Sequence, residues 1–412
     1  MKNPVNLFLA VAFNFMALAA ISQNRPEIPV AHTSLNIDFI NRELKDAVSQ
    51  VKVLAALLPK DAMPRTFVGD TLVTSNTSWW TSGFYSGLLL YLYDFSGDST
   101  LFHLASNKMA ILEKEKYNTG THDLGFMLYC SYGNALRITH DTAKYKNILV
   151  TGAESLASRY RPKVGAIRSW NMPSFPVIID NMMNLELLLV ASRLSGNIEL
   201  WNIAVAHANT TMKNHFRPDY SCYHVVDYDP ENGNIIAKKT AQGAYDESAW
   251  ARGQAWALYG YTMMYRETRS RTYLDFAKKI AGFILDHPNM PADLIPYWDF
   301  DTPQLPDNHP FAPHKKSRDA SAAAIIASAL IELSTYTRGA ESDAYLSKAE
   351  KMLTHLAQYP YKAAIGSNGG FILQHSMGSL PRNVEVDVPL TYADYYYVEA
   401  LMRYRQLLQD RN

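Results

Sequence analysis

Two aspartates stand at points in the chain where proton chemistry could be done. Asp180 lies near the start of Val177 to Leu194, a run that is apolar on nearly every face. In a water-soluble protein such a run reads as a helix enclosed by other helices. A carboxylate there is costly to desolvate unless it is paired, hydrogen-bonded or protonated, and those conditions raise its pKa toward neutral. A general acid needs that property. Asp180 could instead cap the helix, but Pro173 and Pro176 favour an earlier start that places it about one turn inside. Asp123, in Thr121-His122-Asp123-Leu124-Gly125-Phe126, enters another such helix. There it is either a partner of Asp180 or a charge that complements the helix dipole.

Residues suited to holding a ligand recur nearby in the sequence. Trp79 and Trp80, ahead of Phe84, either stack on a sugar ring or plug the end of a helical array. His224 follows a strand-like start at Tyr223, and QGAYDESAWARGQAW runs from Gln242 to Trp256. Arg252 and Trp256, four residues apart, share a helical face, with Ser248 one turn earlier. An arginine flanked by the indoles of Trp250 and Trp256 either clamps a planar carboxylate through its fork or forms a structural cation–π pair. Lys238, Lys239, Lys315, Lys316 and Arg318 add basic residues to the same loops, consistent with an anionic or sulfated ligand. No HExxH, paired CxxC, P-loop or dinucleotide fingerprint is present, so no metal or cofactor is expected. Gly-Xaa-Ser-Xaa-Gly is also absent, which removes the case for a serine hydrolase.

The elements that must position these residues are helices. Periodicity predicts twelve, near 36–58, 82–96, 99–115, 122–138, 141–160, 178–195, 197–217, 246–268, 270–287, 318–336, 341–358 and 388–408. Strand-like alternation is confined to Tyr223 to Val226 and Gly370 to Leu373. Short turns such as SGDSTLF from Ser96 and SGNIELW from Ser195 alternate with long loops rich in Pro, Gly and aromatics. Tight turns on one side and long loops on the other describe six helical hairpins closed into an all-α (α/α)6 barrel, rather than an open solenoid. The helix after each long loop is the more apolar of its pair and belongs to the inner ring. Every candidate residue falls on the long-loop side, where binding groups gather on a rigid scaffold.

The 39 basic and 39 acidic residues balance, so nothing points to nucleic acid or an electrostatic membrane anchor. The 26 Tyr and 7 Trp suit stacking and hydroxyl contacts with a polar ligand such as a sugar. Residues 1–23 read as a cleaved secretory signal: Lys2, then the apolar run Leu7 to Ala20, then small residues. An exported, periplasmic protein with one catalytic domain over residues 24–412 is expected, as a monomer or weak homodimer. Cys130 and Cys222 are too far apart in sequence to form a framework pattern and are taken as unpaired.

With these residues assembled, the chain resembles the unsaturated glucuronyl hydrolases of glycoside hydrolase family 88. SWWTSGF, HDLGF, IIDNMMNLELL, DESAWARGQAWALYGY and YADYYYVEAL carry the resemblance in order. It implies an (α/α)6 barrel that removes a 4,5-unsaturated uronic acid from the non-reducing end of a lyase-generated oligosaccharide. It further implies that Asp180 protonates C4 and then helps deprotonate the water adding at C5. Asp123 would bond ring hydroxyls and help set the protonation of Asp180. Trp80 and Trp256 would stack on sugar, and His224, Gln242, Trp250 and Arg252 would contact substrate, with Arg252 the candidate for the uronate carboxylate; His122, entering an inner helix beside Asp123, is a further candidate contact on its position in the sequence. The lysines tilt the expected substrate toward sulfated glycosaminoglycans such as heparin or chondroitin. Two rivals remain at this point: an inverting glycosidase acting on a saturated bond through Asp123 and Asp180, and a non-catalytic sugar-binding protein of the same barrel.

Overall fold

The structure, a computed structural model, describes residues 35–410; the expected leader lies outside the described residues. The chain runs α1 (Ile37–Leu57), β1 (Met63–Val68), β2 (Thr71–Ser75), α2 (Phe84–Ser96) and α3 (Ser99–Leu112). A π-helix (Gly125–Gly133) continues into α4 (Asn134–Thr139), followed by α5 (Thr142–Ala157), β3 (Tyr160–Arg161), β4 (Ala166–Ile167) and β5 (Phe175–Ile178). Then come α6 (Asn181–Ser195), α7 (Ile198–Asn214), β6 (Val225–Tyr228), β7 (Ile235–Lys239), α8 (Ala251–Thr268) and α9 (Arg271–Asp286). The chain closes with α10 (Ala320–Ser334), α11 (Gly339–Leu356) and α12 (Thr391–Asp410).

Six helices form a closed inner ring in the order α2, π-helix with α4, α6, α8, α10, α12 and back to α2. Each is backed by an outer partner, α3, α5, α7, α9, α11 and α1, so the (α/α)6 barrel is closed by pairing the first helix with the last. Burial explains the division. Every residue of α10 is buried, as a helix with neighbours on all sides requires. In α9 burial falls on Tyr273, Leu274, Ala277, Ile280, Ala281 and Ile284, one stripe of an amphipathic helix. The tight turns work by pairing a left-handed C-cap with an N-cap. Gly97 (φ 69°) ends α2 and Asp98 accepts from Thr100 N; Gly196 (φ 80°) ends α6 and Asn197 accepts from Glu199 N.

Several boundaries differ from the periodicity. The helix expected from 178 starts at Asn181, because Phe175–Ile178 pair antiparallel with Val225–Tyr228 in a three-stranded sheet, β5-β6-β7. The helix expected from 246 starts at Ala251. Ser248 therefore lies in the preceding turn, donating to Asp299 Oδ2 at 2.6 Å, and does not share the Arg252 face. The strand expected at Gly370 to Leu373 is a short turn with a single bridge from Leu373 to Lys362. The β1–β2 hairpin was not anticipated, although Gly69-Asp70 (φ 53° and 61°) is the left-handed pair such hairpins favour. Cys130 and Cys222 are both buried and free.

Candidate active site

The long-loop face holds a cavity of about 380 Å³ lined by Trp80, His122, Asp123, Asp180, Gln242 and Arg252. Three other expected residues, His224, Trp250 and Trp256, are buried behind its wall rather than on it. A second cavity, of about 390 Å³, opens on the opposite end of the barrel, but its Arg137, Arg266 and Arg403 are each ion-paired.

Asp180 is delivered by the sheet. The β5–β6 ladder extends one step beyond the strands, with Ile179 N bonded to His224 O at 3.0 Å, and α6 begins immediately after. Asp180 thus occupies the N-cap position, correcting the one-turn-inside expectation, yet its side chain makes no capping hydrogen bond. Its Oδ2 is buried without a partner. Burial pushes the carboxyl up to about 7; Arg252 pulls against that rise and Asp123 adds to it. The indole N–H of Trp256 tempers the rise as well, without reaching good hydrogen-bond geometry. An acid so placed keeps a proton near neutral pH and can give it up, which a structural cap does not need.

Asp123 sits in the turn ahead of the π-helix, held by Thr121, whose Oγ1 lies 3.0 Å from Asp123 Oδ2 and accepts from Asp123 N at 3.1 Å. Asn184 ties this segment to that of Asp180: its Oδ1 accepts from Phe126 N at 2.9 Å, and its Nδ2 lies 3.4 Å from Asp180 O. The neighbouring His122 is oriented by its backbone contact. Nδ1 donates to Ser169 O at 2.9 Å, leaving Nε2 3.2 Å from Asp123 Oδ1. Attraction at that contact requires a doubly protonated ring, whereas burial holds the His122 pKa below its usual value.

Both terminal nitrogens of Arg252 are committed. Its Nη1 donates to Asp319 Oδ2 (3.0 Å) and Met377 O, and its Nη2 to Gln242 Oε1 (3.0 Å) and Gly378 O (2.6 Å). The guanidinium also lies 4.5 Å from the Trp250 ring centre. Of the two readings of this arginine, the geometry favours the structural one: a stacked bolt joining α8 to the loop before α10 and to the last long loop. Gln242 gains a fixed orientation, since its Oε1 faces Arg252 and its amide N–H groups are turned away from it.

Trp80 lies against Tyr392 (4.9 Å) and Phe126 (5.5 Å) on the cavity wall. Trp79 also lines the cavity, with Arg65 4.2 Å above its ring. Trp256 packs inward on Phe126 and Tyr396, so a sugar-stacking role for it has no open ring face here. None of Lys238, Lys239, Lys315 and Lys316 lines the cavity; Lys239 and Lys315 pair with Asp227 and Asp307. The aromatic, charged and hydroxyl-bearing cavity residues that sequence reasoning missed include Trp170, Ser379, Arg382, Glu385 and Tyr392. Glu385 is held by Arg65 at 2.8 Å, while Arg382 has no ion-pair partner among the described residues. An aromatic inside a long loop was the available signal for Trp170; Arg382 carried none beyond its charge.

A protein of Formosa agariphila called unsaturated glucuronyl hydrolase is 47% identical over 333 residues, 80% of each chain. The unsaturated chondroitin disaccharide hydrolase of Streptococcus pneumoniae is 30% identical over 350 residues, 83% of this chain and 85% of its own. A crystal structure of an unsaturated glucuronyl hydrolase specific for heparin superposes with a TM-score of 0.85 at 46% identity, covering 91% of this chain and 99% of that one. The sequence pattern of glycosyl hydrolase family 88 matches residues 61–406, from just ahead of β1 into α12 and so through every segment that lines the cavity. On barrel, loops and sequence together, the chain belongs to glycosyl hydrolase family 88.

Proposed function

We propose that this protein removes the 4,5-unsaturated uronic acid from the non-reducing end of lyase-generated oligosaccharides by hydrating the enol-ether double bond. The observation that carries the reading is a buried carboxyl, Asp180, raised to about 7 on the wall of a cavity that also presents Asp123. In this mechanism the Asp180 proton goes to C4, leaving an oxocarbenium character at C5. Water adds at C5 and loses a proton to the Asp180 carboxylate, which regenerates the acid. The C5 hemiketal opens to a ketone, and the C1 hemiacetal so formed collapses to release the rest of the chain. One water is consumed overall.

Substrate contacts follow from the same wall. Trp80 and Trp170 offer indole surface, Asp123 accepts from ring hydroxyls, and the Gln242 amide donates. With the Arg252 Nη groups committed, we assign Arg382 as the cation for the uronate carboxylate or a neighbouring sulfate. The relatives named for heparin and chondroitin products support a glycosaminoglycan-derived substrate. The apolar N-terminal run supports export, which N-terminal sequencing of the protein from a periplasmic fraction would test; a mature chain that begins at Met1 in the cytosol overturns it.

The deciding experiment follows the ultraviolet absorbance of the conjugated uronate in unsaturated disaccharides from heparin, chondroitin and hyaluronan. Wild type should bleach the band, and Asp180→Asn should lose on the order of 10²–10⁴-fold in rate while staying folded. No bleaching of any of them, with turnover of saturated glycosides, would move the protein to the inverting-glycosidase reading.

A further inference from the structure

His224 is a substrate-type residue by sequence, but it does not line the cavity and is buried among Trp250 (ring centres 4.6 Å apart) and Trp170 (6.2 Å, edge-on). Its Nδ1 accepts from two backbone donors, Ala241 N at 3.1 Å and Gln242 N at 3.2 Å. A ring nitrogen that receives two N–H groups must offer its lone pair, so the ring hydrogen is on Nε2. Protonating Nδ1 would set a third hydrogen against those two donors. Burial holds the ring neutral, with Arg252, His215, Arg382 and His122 adding to that; against them stands Asp180, whose carboxylate, when ionised, favours the charged ring. The fixed Nε2–H lies 3.7 Å from Asp180 Oδ2. Both atoms are buried and neither has a hydrogen-bond partner. The two residues face each other because Ile179 N bonds to His224 O at the end of the β5–β6 ladder.

We propose that His224 is a positioning residue for Asp180: its locked Nε2–H marks Oδ2 as the permanent acceptor and so places the transferable proton on Oδ1. The role rests on the hydration reading above, but the geometry does not. An Asp180 carboxyl without this donor could carry its proton on either oxygen, and only one of them can be in line with the substrate. The 3.7 Å separation shortens to a hydrogen bond with a small turn of the carboxyl, as catalytic contacts commonly do when substrate binds. Loss of the donor also removes a group that favours the ionised form, so the Asp180 pKa should rise above its value of about 7. The other groups acting on that carboxyl, Arg252 and the Trp256 indole N–H from α8 and Asp123 from the turn before the π-helix, are unchanged by the substitution.

Two variants separate positioning from packing. His224→Leu fills the space without a donor; His224→Gln restores an acceptor and a donor at a comparable spacing. In ¹⁵N-edited NMR of the wild type the His224 ring should show a protonated Nε2 and an unprotonated Nδ1 throughout the neutral range. By ¹³C NMR the Asp180 carboxyl should titrate at higher pH in His224→Leu and return toward wild type in His224→Gln. These readouts need no substrate, so they stand or fall separately from the assigned reaction. With turnover, His224→Leu should lower kcat on the order of 10-fold to 100-fold with KM little changed, as for outer groups that orient a reacting side chain, and His224→Gln should recover most of it. A ring protonated at Nδ1, an unmoved Asp180 titration in His224→Leu, or a loss confined to KM would overturn the proposal.

Discussion

Arg252 and Asp319 form an ion pair at 3.0 Å with both side chains buried, and three site-forming segments are fastened through it. Asp319 Oδ1 accepts from Ser321 N and Ala322 N at the start of α10, so one carboxylate both caps a helix and holds the guanidinium. Arg252 in turn grips Gln242 and the carbonyls of Met377 and Gly378. Removing one partner of a buried pair leaves the other charge uncompensated, at a cost of about 3–5 kcal/mol. Asp319→Ala should lose that much in denaturant unfolding and expose Arg382 to trypsin, because the loop that carries it loses its anchor. A loss below about 1 kcal/mol, the range of exposed pairs, would mean the loops hold themselves.

Asp123 acts on Asp180 through charge. A neighbouring anion raises the pKa of an acid, so its removal lowers it. Asp123 raises Asp180 and Arg252 lowers it, with burial the largest cause of the value of about 7. Asp180 is active as the acid while protonated, so kcat/KM should fall as pH rises through that value in the free enzyme. In Asp123→Asn this basic limb should move to lower pH, beside any loss of rate from missing hydroxyl contacts. An unmoved limb would confine Asp123 to substrate binding.

The inner helices were legible because a helix with neighbours on all sides must be apolar all round, as α10 is. The tight turns were legible because Gly97-Asp98 and Gly196-Asn197 carry their own capping chemistry. Asp180 stood out as a carboxylate in an apolar run, but its place on that run did not. Val177 and Ile178 suit a buried strand as well as a buried helix, and only pairing with Val225 and Val226, far along the chain, decides between them. The same limit hid which side of the wall His224, Trp250 and Trp256 occupy. Residue type reports what a side chain can do, whereas the face it presents depends on contacts such as the two amides on His224 Nδ1.

His215 offers a test of acid stability away from the cavity. Its Nε2 donates to Val177 O at 3.1 Å, and burial lowers its pKa from 6.5 to about 4. Because the unfolded ring binds its proton first, stability is complete above about 6.5 and is lost as pH falls toward 4. His215→Gln keeps an N–H for Val177 O but cannot titrate. Relative to wild type it should gain up to about 3 kcal/mol between the two ends of that window, read as the change in unfolding free energy with pH. His207, lowered to about 3, leaves a residual slope of the same sign in the variant. Parallel pH curves for the two proteins would contradict the assignment.

Gly125 sets how closely the π-helix approaches α6. A Cβ there would lie 2.5 Å from Asn184 Cα and 2.8 Å from Asn184 Oδ1, the atom that accepts from Phe126 N. Backbone cannot give way as a side-chain tip can, so Gly125→Ala must push the two helix starts apart. Overpacking of this kind costs about 1–3 kcal/mol, but the larger effect should be on rate. Asp123 and Asp180 sit just before these two helix starts, and a displacement of about 1 Å can lower turnover about 10²-fold. Gly282→Ala is the matched control, because its added Cβ in α9 meets nothing within 4 Å; it should be neutral or stabilising by about 0.4–1 kcal/mol. If Gly125→Ala loses stability like an overpacked core yet keeps wild-type kcat/KM, the spacing of the two aspartates is set elsewhere, and the β5–β6 ladder alone would have to fix Asp180.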